Sequence, residues 1–198
     1  AEQRLKLQRL SPGYRVFFES ANPVTIQGAT ENDASTFDMI EPGSGEILHR
    51  YVADARLAYD VALKHFLYTN FERPIELIAP NVLANATRTL SLALPPLDSH
   101  AKRYFSDRRL QRILEYHMVF LGSSPYDAPS LYTLMSTLDF TTGVYYPKDG
   151  MYKLIDDLIA LGDPAKITYH FGTDVTRIDV DGRRAESITT ADGSSHAA

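Results

Sequence analysis

Residues 120–151 read FLGSSPYDAPSLYTLMSTLDFTTGVYYPKDGM and join two turns through an apolar, aromatic-rich segment. For that segment we predict a helix over roughly 130–138, and a further helix over roughly 150–161. Between them, Pro147 fixes one backbone angle and Gly150 permits positive φ. Backbone amides that open the second helix would point at an electron-rich ligand. On spacing alone, however, an ordinary turn at a helix start is the simpler explanation.

The residues before this stretch predict a hairpin followed by helices. Residues 14–19 alternate like a strand and can pair with residues 24–26. Residues 46–68 carry apolar side chains at i, i+3 and i+4, which indicates a long amphipathic helix. A second clear helix begins near Ser106, for which we predict the role of N-cap.

The residues after it predict a small β-meander. From Pro164 onward the apolar period changes to two, with a hairpin turn at 181–182, a further turn at 192–193 and a frayed or artificial tail at 194–198. The helix over 150–161 is expected to direct four apolar residues inward, namely Met151, Leu154, Ile155 and Leu158. Helices are thus segregated from an antiparallel sheet, which is an α+β fold.

Composition excludes several classes of function. The 198 residues are 44% apolar, enough for a substantial core, and the net charge of −5 offers no general attraction to nucleic acid. The absence of Cys excludes disulfides and thiolate chemistry. No Gly-x-Gly-x-x-Gly nucleotide-binding motif and no Gly-x-Ser-x-Gly hydrolase motif occurs, and the six His residues lack metal-ligand spacing.

Three phrases of the 120–151 stretch together resemble the phytoene desaturases, which are flavin-dependent carotenoid desaturases of the amine-oxidase-like superfamily. They are Gly122-Ser123-Ser124-Pro125, Pro129-Ser130-Leu131-Tyr132 and Gly143-Val144-Tyr145-Tyr146-Pro147-Lys148-Asp149-Gly150-Met151. Residues 14–19, 42–51 and 64–72 are also similar to the family, so the resemblance spans almost the whole chain.

The resemblance implies a domain organisation and an activity. Residues 1–163 would form the substrate-binding domain, and residues 164–198 a β-meander of the FAD-binding domain. The full-length enzyme would use FAD to introduce C=C bonds into phytoene, a polyisoprenoid hydrocarbon, with the flavin supplying the hydride chemistry. Because the nucleotide-binding motif is missing, we expect this chain alone to be inactive.

Asp107 is the catalytic candidate that the resemblance implies. An acidic residue at the matching place of the family has been proposed as an acid–base group near the polyene, and the neighbouring arginines could keep Asp107 ionised. In the alternative explanation, Asp107 has a structural role and no catalytic one. An acid in the first turn complements the helix dipole, while Arg108, Arg109 and Arg112 solvate an outer face.

The resemblance also implies cofactor and substrate contacts. Those to FAD are Pro147, Lys148, Gly150 and Met151 in the turn against the flavin ring, and Val175 on the strand that pairs with adenine. The expected substrate wall comprises Phe120, Tyr132, Met135, Tyr145 and Tyr146, which could equally be core. Asp149 departs from the family, which usually has a glycine there, and brings a charge and a Cβ toward the ring.

Residues 66–97 are apolar but interrupted by prolines, which leaves two interpretations. One is a helical subdomain with ordinary packing, and the other is an interfacial surface that collects hydrocarbon from a membrane. The family implies a cytoplasmic protein that is peripherally attached to the membrane. Two other functions stay open, namely a non-catalytic isoprenoid- or lipid-binding module and a carotenoid isomerase or retinoid saturase of the same superfamily.

Overall fold

The structure is a computed structural model that describes residues 5–65, 95–162 and 166–197. It divides into two compact units, one of Leu7–Lys148 and one of Asp149–Ala198 with Ala1–Lys6. The division falls before the domain boundary predicted at 163/164, which stays a prediction. The larger unit holds the predicted hairpin and the helices before residue 149, and the smaller one holds the helix predicted at 150–161 and the predicted meander.

The strands and helices of the larger unit follow the order β1 Leu7–Arg9, β2 Tyr14–Phe18, β3 Ala21–Ile26, α1 Thr30–Ile40, α2 Ser44–His65, α3 Leu97–Tyr104, α4 Arg108–Glu115, α5 Met118–Leu121, a 3₁₀ turn Ser130–Thr133, α6 Leu134–Thr137, a π-helical turn Leu138–Thr142 and β4 Tyr145–Pro147. The smaller unit contains α7 Tyr152–Gly162, β5 Val175–Asp181, β6 Arg184–Thr190 and β7 Ser195–Ala197.

The predicted hairpin is confirmed. Strands β2 and β3 pair antiparallel, with Tyr14 opposite Ile26 and Val16 opposite Val24. A second pairing was not predicted, because β1 and β4 lie far apart in sequence and are each three residues long. They pair antiparallel, with Leu7 opposite Pro147, so β4 is attached to the start of the larger unit.

The long helix is confirmed from Ser44 to His65, and the predicted residues 66–68 lie outside the described residues. The N-cap prediction is wrong by one residue. Asp107, not Ser106, caps α4, since its carboxylate accepts a hydrogen bond from the Arg109 amide. Helix α3 was missed because its eight residues are too short for a periodic signal beside the prolines that precede it. The predicted 130–138 helix is instead a run of 3₁₀, α and π turns.

The core of the larger unit joins the hairpin to the helices. Phe37 of α1 is fully buried and meets the rings of Phe105 and Phe140 edge to face, with centroids 5.5 and 5.8 Å apart. Leu48 and Tyr51 of α2 belong to the same cluster. The π-helical turn that carries Phe140 is therefore tied to the core.

In the smaller unit, the three-stranded meander has the order β5-β6-β7. Its first hairpin turn lies at 182–183, one residue after the predicted position, because Asp181 still pairs with Arg184, and the turn at 192–193 is present. Two expectations are wrong. The tail is paired rather than frayed, with His196 of β7 opposite Ile188 of β6. Of the residues that the predicted 150–161 helix was expected to direct inward, Met151, just before α7, is 55% exposed, and Ile155 and Leu158 are 46 and 65% exposed. The helical period was read correctly, but a period does not reveal which element covers an apolar face.

Candidate functional site

Asp107 lies at the junction of α3 and α4, and its carboxylate is almost fully engaged. Oδ1 accepts from the Arg109 amide at 2.8 Å and from Nε at 3.0 Å, and Oδ2 accepts from Nη2 at 2.8 Å. The Asp107 amide donates to Glu41 Oε2 at 2.8 Å, which ties the junction to the end of α1. Hydrogen bonds from Arg109 hold the pKa of Asp107 below its usual range.

A cavity of about 400 Å³ lies beside this ion pair. Its lining includes Arg109, the α1 residues Thr36, Met39 and Ile40, and β3 residues such as Thr25. Arg109, which holds Asp107, therefore also borders an open space. Sequence reasoning could not have found this cavity, since its walls come from three separate elements.

The five residues expected to form the substrate wall all lie in the larger unit. Phe120 on α5 is 71% exposed, and Tyr132, Tyr145 and Tyr146 are partly exposed. Met135 on α6 is half-buried. The ring of Phe120 contacts that of Tyr116 edge to face at 5.8 Å. Apart from half-buried Met135, these residues present aromatic surface to solvent rather than filling the core.

The residues expected to contact FAD are divided between the two units. Pro147 is buried at the end of β4, and Lys148 is the last residue of the larger unit. In the smaller unit, Gly150 has φ of +90° and no heavy atom within 4 Å of the position a Cβ would take. Met151 is exposed beside it. Gly150 thus leaves room for a flat ring to approach its backbone closely.

Val175 begins β5, an edge strand, since the strand order β5-β6-β7 leaves one side of it without a strand partner in the described part of the chain. It also borders a cavity of about 340 Å³, lined by His170, Thr173, Val175, Ile188, Thr190 and His196. An open strand edge beside a cavity can offer backbone N–H and C=O groups to a planar heterocycle. These features of Gly150 and Val175 fit a flavin nucleotide.

A buried acid that the sequence analysis overlooked lies on the π-helical turn. Asp139 is 5% exposed, and its Oδ2 accepts from Tyr14 Oη at 2.6 Å. Its Oδ1 accepts from Tyr116 Oη at 3.1 Å, and His117 Nε2 lies 3.9 Å from Oδ2. Burial raises the pKa of Asp139 to about 6, although the two phenol hydrogen bonds lower it. The signal that could have identified it is an acid inside an apolar run, Leu138-Asp139-Phe140.

A second buried acid shows the opposite behaviour. Asp98 on α3 pairs with Lys102 Nζ at 2.7 Å and Arg108 Nη1 at 3.0 Å. Burial opposes its ionisation, but these two cations outweigh burial and lower its pKa. The pKa of Asp139 stays raised because its hydrogen-bond partners are uncharged phenols, which lower the pKa too little to offset burial.

No helix among residues 5–65, 95–162 and 166–197 is long and apolar enough to cross a bilayer.

Comparisons with known proteins agree with the resemblance in the sequence. The family model described as flavin containing amine oxidoreductase matches residues 42–198. A carotenoid 3,4-desaturase of Haloarcula japonica is 36% identical over 92% of this chain and 36% of its own length. A phytoene desaturase of Neurospora crassa is 29% identical over 91% of the chain and 30% of its own. A zeta-carotene-forming phytoene desaturase of Myxococcus xanthus is 29% identical over 97% of the chain and 37% of its own length. The chain therefore spans about a third of the length of these relatives.

Proposed function

Because the chain belongs to the flavin-containing amine oxidoreductases, we propose that it is the central part of a carotenoid desaturase that introduces C=C bonds into phytoene or a closely related polyene. The observation that carries the proposal is the 36% identity to a carotenoid 3,4-desaturase over 92% of the chain. FAD, the cofactor of the family, supplies the hydride acceptor when bound. The residues of this chain bind the cofactor and the substrate, orient them, and exclude water from the site.

In this proposal the FAD contacts fall to two short segments. Pro147 ends β4 and Lys148 follows it, while Gly150 and Met151 directly precede α7, so that a flavin ring lies against their backbone. Val175 meets the adenine through the open edge of β5, which the cavity beside it supports. Residues 164–198 then belong to the FAD-binding domain, and residues 1–163 to the substrate-binding domain.

The substrate wall is assigned to Phe120, Tyr132, Met135, Tyr145 and Tyr146. The exposed aromatic rings support this, because a hydrocarbon substrate needs apolar surface that the protein's own core does not already occupy. The neighbouring α5 residues Val119 and Leu121 are exposed as well, and they support attachment of the full-length enzyme to a membrane surface.

Asp107 is proposed as the acid–base group of the reaction. Its low pKa keeps the carboxylate ionised at neutral pH and so free to accept a proton as the polyene is oxidised. The same low pKa makes it a weaker base than a group whose pKa lies near the operating pH. The bidentate contact with Arg109 would have to open, or share its acceptor lone pairs, for this role. If Asp107 acts only as the N-cap of α4, its charge contributes nothing to the rate.

The test uses Asp107→Asn in the full-length enzyme with phytoene in liposomes, and products are separated by chromatography. Asn also caps helices well, so the variant removes the charge and keeps the cap. We expect desaturation to fall at least about a hundredfold with FAD still bound, as for the loss of a general base. An unchanged rate with intact FAD would remove the catalytic role, and an isomerised or saturated product from the unaltered enzyme would assign a different reaction to the family member.

A further inference from the structure

The acid Asp139 is close in sequence to the strand that leads into the proposed flavin turn. The π-helical turn ends at Thr142. The amide of the next residue, Gly143, donates to the Leu138 carbonyl at 2.9 Å, and β4 begins two residues after Gly143. Single-turn π segments are rare and frequently lie at functional sites. The backbone of β4 therefore starts from a point that the Asp139 side chain can hold in place.

The backbone between Asp139 and β4 is packed too closely to shift without disturbing its neighbours. A Cβ on Gly28 would lie 2.9 Å from the Gly143 Cα and 3.2 Å from the Asp139 carbonyl oxygen. On the other side, a Cβ on Gly143 would lie 2.8 Å from Arg9 Nε. The Arg9 guanidinium donates to the Gly28 carbonyl at 2.7 Å, which closes this packing around Gly143.

The phenols that hold Asp139 come from two other elements. Tyr14 belongs to β2, and Tyr116 lies between α4 and α5. Their rings touch, with centroids 4.8 Å apart. A single carboxylate thus joins the hairpin, the end of α4 and the π-helical turn, all within the larger unit.

We propose that Asp139 is a positioning residue of the enzyme, whose carboxylate, held by Tyr14 and Tyr116, fixes the backbone from Gly143 to Pro147 and so sets the flavin-facing turn. The proposal rests on the function proposed above for that turn. Asp139 is not among the residues for which the resemblance to the family implies a role.

The charges around Asp139 make this arrangement sensitive to pH. His117 faces it from the end of α4, but burial lowers the pKa of His117 to about 4, so this imidazole is neutral above that pH. Asp33 of α1 raises the pKa of Asp139 by repulsion, while its own carboxylate accepts from the amides of residues 27–29. The nearby guanidinium of Arg9 donates a hydrogen bond to the Gly28 carbonyl oxygen.

Protonation changes what the carboxyl group can do. The ionised group accepts from both phenols, whereas the neutral acid carries a proton on one oxygen and loses one good acceptor. Because a hydrogen bond to a charged group is the stronger kind, its loss loosens one of the two attachments. The turn is therefore fully held only when Asp139 is ionised.

The test compares three variants of the FAD-loaded full-length enzyme. Asp139→Asn removes the charge, Tyr116→Phe removes one donor at nearly constant volume, and Asp98→Asn is the control, a buried acid on α3 that is held by cations. The first readout is hydrogen–deuterium exchange of the amides of residues 143–146. The second is the pH profile of kcat and KM between pH 5 and 8.

For Asp139→Asn we expect exchange at residues 143–146 to rise about tenfold and kcat to fall about tenfold with KM unchanged, the effect of losing one charge-assisted hydrogen bond. The wild-type kcat should rise with pH through an inflection at about 6 that Asp139→Asn lacks. Tyr116→Phe should move this inflection to higher pH, because the phenol hydrogen bond lowers the pKa. Asp98→Asn should keep the wild-type profile.

The proposal is overturned if Asp139→Asn retains both the slow exchange and the pH inflection of the wild type. Should Asp139→Asn fail to fold, Tyr116→Phe decides, since an inflection that stays in place contradicts the assignment. If the wild-type enzyme desaturates nothing, the proposed function fails, and the exchange data still decide whether Asp139 holds the strand.

Discussion

Replacing Asp139 by Asn should change the pH dependence of stability by an amount that the structure sets. Burial raises the pKa of Asp139 from 3.8 to about 6 in the folded chain. The folded state therefore binds a proton more tightly than the unfolded state between these two values. The stability that Asp139 adds to the folded state by holding this proton is fully present below pH 3.8 and is lost as the pH rises through about 6.

The magnitude follows from the same two values. At about 1.36 kcal/mol for each pH unit, the difference corresponds to about 3 kcal/mol. Asp139 is only 5% exposed, so solvent does little to screen this penalty. The free energy of unfolding of Asp139→Asn minus that of the wild type should thus be about 3 kcal/mol more positive at pH 7.5 than at pH 3.8.

The assay is urea unfolding of the 198-residue chain at several pH values, followed by circular dichroism and by tyrosine fluorescence, since the chain has 12 Tyr and no Trp. Taking the difference between variant and wild type cancels the titration of all other groups. Asp98→Asn serves as the matched control. Because the pKa of Asp98 is lowered in the folded state, its difference from wild type should change in the opposite direction, and mainly below pH 3.8. A difference between Asp139→Asn and wild type that does not vary with pH would refute the assignment of a raised pKa.

Three further outcomes follow from the packing and can be measured by urea unfolding of the same chain. Phe37→Ala should destabilise it by about 3–5 kcal/mol, since the side chain is fully buried between two aromatic rings; Phe37→Leu should cost less. Gly143→Ala should lower the free energy of unfolding by at least about 1 kcal/mol, because the φ of Gly143 is +82° and the new Cβ would meet Arg9. At Gly182, φ is also positive but the space around a new Cβ is open, so Gly182→Ala should cost only the backbone strain. Asp107→Ala should cost about 0.5–2 kcal/mol through loss of the α4 cap, while Asp107→Asn should retain most of that stability.

Features that depend on local pattern were read correctly from the sequence. The hairpin of β2 and β3 and the helix from Ser44 follow from alternation and from the i, i+3, i+4 period, which need no distant partner. The turns of the meander follow from Asp-Gly pairs for the same reason. In residues 130–142, where the sequence pattern favours no single helix type, the backbone forms 3₁₀, α and π turns in succession.

The candidate site shows the limit of such reasoning. Asp107 was chosen because the family resemblance places an acidic residue there, and its cap and its contact with Arg109 are local interactions, although the cap was predicted at Ser106. The exposed face of α7 could not be foreseen, because a hydrophobic period says that a face is apolar and not what lies against it.

The family, the flavin and the order of hairpin, helices and meander are written in short stretches of the chain, and 120–151 is the most specific of them. Asp139 lies within that stretch, but the sequence does not reveal its role, since that role depends on a hydrogen bond from Tyr14, 125 residues earlier. Only folding brings that phenol and Tyr116 to the carboxylate, and removes the water that would otherwise keep its pKa ordinary. Local residues specify turns and periods, whereas the charge state of a buried acid is a property of everything packed around it.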